Sequence, residues 1–181
     1  MSEPSTTPPS RATAVWQRGP TPGYVPEMQP AVHALLDVIE EVALEATHLT
    51  HAQLWARPSG VASVGFHLVH LAGSTDRLFT YALGHALSDT QREFLRNEPN
   101  VLDESITAAT LVARTAASIR ESLAQLVLIT PASYQEVRYV GRARLESTVW
   151  GLLFHAAEHA SRHAGQLVTT SRIVQSVLGP V

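Results

Sequence analysis

The chain has 181 residues, of which 45% are hydrophobic and 16% are charged, a composition typical of one globular domain. It contains no cysteine, which excludes disulfides, thiolate metal ligands and a cysteine nucleophile. All 13 basic residues are arginine, which excludes Schiff-base chemistry by a lysine and P-loop phosphate binding. The net charge is −3 and the arginines are mixed with acids, so we expect no nucleic-acid partner.

Residues 1–24 are rich in Ser, Thr and Pro and show no periodicity, so they are predicted to form an irregular N-terminal segment. Residues 25–181 are predicted to form a single helical domain. The first residues have no apolar stretch of the signal-peptide kind, and no run reaches the roughly 18 apolar residues of a membrane span. A cytoplasmic protein without a membrane partner is therefore expected.

Apolar residues at helical spacing predict four long helices, over residues 30–47, 63–84, 105–128 and from 147 to beyond 173. Two capping boxes, Thr50 with Gln53 and Ser88 with Gln91, predict a short turn and a short polar helix that Pro99 stops. Residues 130–146 are predicted to be irregular, since only 134–140 alternate, and weakly.

This pattern predicts an all-α protein built as a four-helix bundle. The second and third long helices are joined by roughly 20 residues, more than antiparallel neighbours need. We therefore predict a crossover connection between them, so that these two helices run parallel.

Histidines occur at helical spacing on two of the predicted helices. His155, His159 and His163 follow one another at i, i+4 steps, within an arc of about 80° on the fourth helix. His67 and His70 share one face of the second helix. Two imidazoles one turn apart, with a third from a facing helix, can bind one ion at about 2.0–2.1 Å. The spacing alone also allows ordinary core or surface histidines.

Four segments resemble the DinB-like (DinB/YfiT) superfamily: SVGFHLVHL from Ser63, DRLFTY from Asp76, VGRARL from Val140 and GLLFHAAEHASRHAGQ from Gly151. The likeness extends over roughly residues 20–175, in order. It implies a four-helix bundle that binds a divalent metal through one His of the second helix and an H-x-x-x-H pair of the fourth. Matched to this sequence, the implied metal ligands are His70, His159 and His163, and zinc or nickel is the expected ion.

His67, His155 and Glu158 are candidates for a catalytic role that the sequence does not assign. Each histidine lies one turn before an implied ligand and could support it, act as a fourth ligand, face a substrate, or only pack. Residues 155–159 also spell H-x-x-E-H, the inverted zinc-peptidase motif. No acid follows Glu158 to complete that ligand set, so Glu158 is better interpreted as a surface residue or a support for an imidazole.

The resemblance implies a metal-dependent enzyme acting on a small molecule, either a thiol-dependent S-transferase or isomerase or a hydrolase. A low-molecular-weight thiol would have to diffuse in. Arg77 and Tyr81 are candidates to bind an anionic cosubstrate, although a surface salt bridge explains Arg77 equally well. Two alternatives stay open: a non-catalytic, stress-associated metal-binding or interaction module, and a metal-free bundle whose histidines only pack. Relatives of this kind are often dimers, so a homodimer is expected.

Overall fold

The structure is a computed structural model that describes residues 13–98 and 105–179. Within these two ranges the chain is mostly helical, with one antiparallel hairpin. The elements are α1 (Gln29–Ala46), α2 (His51–Trp55), α3 (Val64–Ala82), α4 (Asp89–Asn97), α5 (Ala108–Gln125), β1 (Val137–Val140), β2 (Leu145–Thr148) and α6 (Val149–Leu178). None of the helices described here has the length and apolar composition needed to cross a membrane.

Side-chain caps explain where five of these helices begin. Each starts after a Ser or Thr whose hydroxyl accepts a hydrogen bond from the backbone N–H three residues on: Thr50, Ser63, Ser88, Thr107 and Thr148. The two predicted capping boxes are confirmed, because the side chains of Gln53 and Gln91 accept hydrogen bonds in return from the backbones of Thr50 and Ser88. A cap of this kind stabilises a helix by about 1 kcal/mol.

The core lies among the four long helices α1, α3, α5 and α6. Both α1 and α3 contact α5 and α6, and the faces that meet carry fully buried side chains: Leu35, Leu68, Leu71, Ile119, Leu153 and Leu167. Burying one such side chain contributes roughly 1.5–3 kcal/mol. The prediction of a helical protein is thus confirmed, while the bundle arrangement and the crossover stay predictions.

Small residues allow α6 to lie close to its neighbours. Ala156, Ala157, Ala160 and Ala164 are all buried on this helix, which packs against both α3 and α1. An alanine projects only a methyl group into such an interface, so backbones can approach and larger side chains beside it have room. The histidines of α6 lie directly beside these alanines in sequence.

The predicted short helix between the second and third long helices is α4, and it packs on α3. The side-chain amide of Gln91 donates hydrogen bonds to Asp76 Oδ2 (2.8 Å) and Thr80 Oγ1 (2.7 Å) on α3. The C-terminal end of α4 leads directly into Glu98. Pro99, which was predicted to stop this helix, lies outside the described residues.

The prediction of irregular structure over residues 130–146 is wrong at the two strands. β1 and β2 form an antiparallel hairpin in which Val137 pairs with Thr148 and Val140 with Leu145. Each strand has only four residues, none of them buried, so the alternation is too short and too weak to reveal the strands. The guanidinium Nε of Arg138 donates to Ala82 O (2.9 Å) and connects the hairpin to the end of α3.

The described part of the N-terminal segment, residues 13–24, lies against α1. It contains a short 3-10 helix, Val15–Arg18. The backbone N–H of Val15 donates to Asp37 Oδ1 (3.0 Å), and the Arg18 guanidinium forms an ion pair with Glu40 (2.6 Å). Residues 1–12, also predicted to be irregular, lie outside the described residues.

Candidate metal centre

Three imidazoles from two helices meet in one cluster. His70 lies on α3, and His159 and His163 lie one turn apart on α6. One nitrogen of each ring lies within 4.8 Å of the others, and His70 Nε2 is 2.8 Å from His159 Nε2. All three rings are partly exposed, so the cluster is accessible from solvent. The structure therefore brings together the three residues that the sequence motif singled out.

The two cluster histidines of α6, His159 and His163, are neutral at physiological pH. Burial first, and then the neighbouring imidazoles and Arg162, lower the pKa of His159 and of His163 to about 4 in each case. A neutral imidazole presents one nitrogen lone pair, which is the form that binds a metal ion. Low pKa values thus keep these side chains available as ligands well below neutral pH.

The geometry of the cluster fits one divalent ion. Three nitrogens at about 2.0–2.1 Å from a tetrahedral centre are about 3.3 Å from one another. The observed spacings, 2.8 Å for the closest nitrogens and under 4.8 Å for all, differ from this by amounts that small ring rotations supply. Three nitrogen donors with no carboxylate among them are a ligand set that zinc, nickel and similar ions accept.

Glu98 holds His70 from the side opposite the cluster. Its carboxylate is only 5% exposed and accepts a hydrogen bond from His70 Nδ1. This contact places the proton on Nδ1, so the lone pair of His70 lies on Nε2, the atom nearest to His159. Orientation of a ligand imidazole by a carboxylate is the usual second contact in metal sites.

Arg77 keeps Glu98 ionised. Its Nη1 atom is 3.0 Å from Glu98 Oε2, an ion pair without hydrogen-bond geometry, and both side chains are buried. Burial alone would raise the pKa of Glu98, but the hydrogen bond from His70 and the charge of Arg77 together lower it. Arg77 is therefore neither a surface salt bridge nor exposed for a cosubstrate. It belongs to a buried chain of contacts that runs from Arg77 through Glu98 to His70.

The sequence did not point to Glu98, because the residue lies in a connection with no readable motif. One signal was present. A carboxylate at the C-terminal end of a helix opposes the helix dipole, which favours cations there. Glu98 occupies that position on α4, and its unfavourable placement is offset by Arg77 and His70.

His67 supports His163 rather than joining the three nitrogens. It is 3% exposed, and its Nδ1 lies 3.1 Å from His163 Nδ1, so one ring donates a hydrogen bond to the other. Burial, followed by the effect of His70, lowers the pKa of His67 to about 4, which keeps the ring neutral. Of the roles left open for His67, this contact favours orientation of His163, whose Nε2 stays free.

His155 and Glu158 lie at the surface beside the cluster. The His155 ring is half exposed and its centroid is 5.5 Å from that of His159. Glu158 accepts a hydrogen bond from Arg162 Nε (2.9 Å), and that pairing, more than any imidazole, lowers the pKa of its carboxyl. Glu158 thus has a charged partner on its own helix, which fits its interpretation as a surface residue.

Tyr81, Gln166 and the histidines outside α3 and α6 form no part of the cluster. Gln166 is exposed on α6, and Tyr81 lies at the end of α3 beside the hairpin. His48, His51 and His85 are exposed, and His33 is partly buried.

Comparison with protein families agrees with this geometry. The sequence profile of the DinB superfamily matches residues 34–167, a range that includes most of the chain and all three histidines of the cluster. The chain belongs to the DinB superfamily. The resemblance stated from the sequence is thus confirmed. No curated protein matches the chain.

Proposed function

We propose that this DinB-superfamily protein binds a divalent metal ion through His70, His159 and His163. The observation that carries the proposal is the convergence of three imidazole nitrogens from α3 and α6 within 4.8 Å of one another. The lowered pKa values of His159 and His163 and the hydrogen bond from His70 to Glu98 support it, because they leave nitrogen lone pairs available for a cation. Zinc and nickel are the proposed ions, since both suit imidazole.

We propose further that the site is catalytic. Three protein ligands leave coordination positions for other groups, and a divalent ion there would act as a Lewis acid that lowers the pKa of a thiol or of water. The protein side chains orient the ligands: Glu98 fixes the tautomer of His70, and His67 fixes the ring of His163. A small-molecule substrate would reach the cluster through its exposed side.

The surrounding carboxylates favour a thiol over water as the activated group. Hydrolysis benefits from a free carboxylate that takes a proton from water. In the described part of the chain, Glu98 contacts His70 and Glu158 precedes His159 in sequence, and each of these acids is paired with an arginine, Arg77 or Arg162. A low-molecular-weight thiol needs less help, because its own pKa is near 8.5. The proposed activity is therefore thiol-dependent S-transfer or isomerisation, with hydrolysis second.

A non-catalytic metal-binding or interaction module is the second candidate. The same pairing of Glu98 and Glu158 with arginines favours it, because a site that only holds metal needs no free base.

Elemental analysis followed by a turnover assay distinguishes these functions. We expect about one divalent ion per chain. The metal-loaded protein should then accelerate addition of a small thiol to an electrophile, measured against ester hydrolysis and against the chelator-treated protein. Faster ester hydrolysis alone would support the hydrolase. Bound metal with no turnover on either substrate class would support the non-catalytic module.

The finer fold and assembly are proposals as well. We propose that α1, α3, α5 and α6 form a four-helix bundle with a crossover between α3 and α5, supported by the contacts of α1 and α3 with both other helices.

A homodimer is proposed from the family resemblance. Light scattering of the purified protein tests it, and a monomer mass at all concentrations would contradict it.

A further inference from the structure

A second concave surface lies away from the three histidines, between the C-terminal end of α3, α4 and the hairpin. This arginine cavity has a volume of about 900 Å³. Five of the 13 arginines of the chain line it, and no Asp or Glu is among its lining residues: Arg92, Arg96, Arg138, Arg142 and Arg144. It shares no residue with the histidine cluster.

The charge of this cavity is only partly neutralised. Arg92 is paired with Asp89 (2.6 Å) and Arg138 with Glu136 (2.8 Å), so two of the five have acidic partners. The Arg144 guanidinium lies over the Tyr139 ring, 4.2 Å from its centroid. Neither Arg96 nor Arg142 forms a close ion pair or a hydrogen bond within the described residues, although the charge of Arg96 also acts on Asp89 and helps to lower the pKa of that carboxyl. A concave surface with unpaired guanidinium groups attracts anions.

Apolar side chains lie among these arginines. Leu95, Val137 and Tyr139 line the cavity, and between 43% and 48% of each is exposed. A free inorganic anion would leave that apolar area in water, whereas an organic anion with an apolar body would cover it. The volume suits a small molecule, because pockets of roughly 300–1,000 Å³ are typical for such ligands.

We propose that the arginine cavity binds a small organic phosphate ester, with its phosphate held by Arg96 and Arg142 and its apolar body against Leu95, Val137 and Tyr139. The guanidinium group forms paired hydrogen bonds with phosphate oxygens, and two unpaired arginines match a charge near −2. The position of Tyr81 in this cavity fits the expectation of an anion near that residue, while Arg77 is not part of it. The inference does not rest on the metal centre.

Calorimetric titration of the full-length protein with phenyl phosphate tests the proposal. We expect saturable binding at one site, weaker binding of inorganic phosphate, and no measurable binding of phenol. The double variant Arg96→Gln with Arg142→Gln should bind phenyl phosphate about tenfold more weakly, since two charge-assisted contacts are lost. The matched control, Arg114→Gln with Arg120→Gln, removes the same charge from exposed positions on α5 and should bind like the native protein.

Three outcomes of the phosphate titrations would overturn the proposal. These are no saturable binding of phenyl phosphate, equal weakening in both double variants, or equal affinity for inorganic phosphate and phenyl phosphate. Tighter binding of a short single-stranded oligonucleotide than of phenyl phosphate would also overturn it, because the cavity would then serve nucleic acid. Metal content and circular dichroism of each variant, expected to match the native protein, separate a lost anion site from a lost fold or a failed metal centre.

Discussion

The histidine cluster contacts Glu98, the residue that follows α4, and the arginine cavity is lined by residues of α4 itself, yet the two regions hold charge in different ways. At the cluster, the ionised Glu98 is buried and contacts both Arg77 and His70. Four of the five arginines of the arginine cavity are exposed, and Arg96 and Arg142 form no close ion pair among the described residues. A buried charge needs fixed partners, and Glu98 has them in Arg77 and His70, whereas the arginine cavity leaves positive charge available for an anion that diffuses in.

Lowering the pH should have the largest effect on stability, because three imidazoles in and beside the histidine cluster act together. In the metal-free protein the pKa values of His67, His159 and His163 are near 4, below the 6.5 of an unfolded chain. The unfolded state therefore binds more protons between these values, and stability falls as pH falls from about 6.5 to about 4. Urea unfolding of chelator-treated protein across this range measures it. His67→Leu should show a shallower fall, and an unchanged slope would contradict the account.

Arg77→Met tests whether the buried ion pair with Glu98 stabilises the protein more than an exposed ion pair does. Removing one partner of a buried ion pair leaves the Glu98 charge poorly compensated and should lower the free energy of unfolding by about 3–5 kcal/mol. Arg162→Met removes the exposed pair with Glu158 and should cost much less, because water screens an exposed ion pair. Denaturant unfolding of both variants measures the difference. Equal losses of stability in the two variants would contradict the claim that burial makes the first ion pair more important.

Glu98→Gln tests the contact between the buried carboxylate and His70. Glutamine keeps the size but loses the charge, so His70 is held less firmly and metal affinity should fall by about 10–100-fold. Glu93→Gln makes the same change at an exposed position of α4 and serves as the control. Competition with a fluorescent chelator measures both affinities. If Glu98→Gln binds metal as tightly as the native protein does, then Glu98 does not support His70 as a ligand.

Gly73→Ala tests the close packing of α4 on α3. A methyl group at this position would meet the Phe94 ring and lie 2.7 Å from Arg77 Nη1, so it should destabilise the protein by about 1–3 kcal/mol. Gly165→Ala is the matched control, because a methyl group there has open space and a helical alanine is favoured by about 0.5–1 kcal/mol. Thermal melting of the two variants should therefore shift in opposite directions. A shift in the same direction would contradict the packing argument.

The sequence predicted the features that depend on local spacing. The long helices, both capping boxes and the shared face of His159 and His163 follow from periodicity, and the DinB motifs added His70. The contact of Glu98 with His70 was not predictable, because it joins residues 28 apart through the packing of α4 on α3. The hairpin was missed because its strands are short and exposed. The arginine cavity was missed because its residues are scattered in sequence and gather only when the hairpin meets α4.

Binding of a divalent ion by His70, His159 and His163 is best tested by measuring the metal stoichiometry of the purified, tag-free protein and of three single variants. His70→Ala and His159→Ala each remove one proposed ligand, whereas His48→Ala removes an exposed histidine outside the cluster. Elemental analysis should find about one divalent ion per chain in the native protein and in His48→Ala, and essentially none in the other two variants with folding confirmed by circular dichroism. Absence of stoichiometric metal from native protein reconstituted with zinc or nickel, or full retention in His70→Ala and His159→Ala, would contradict the account.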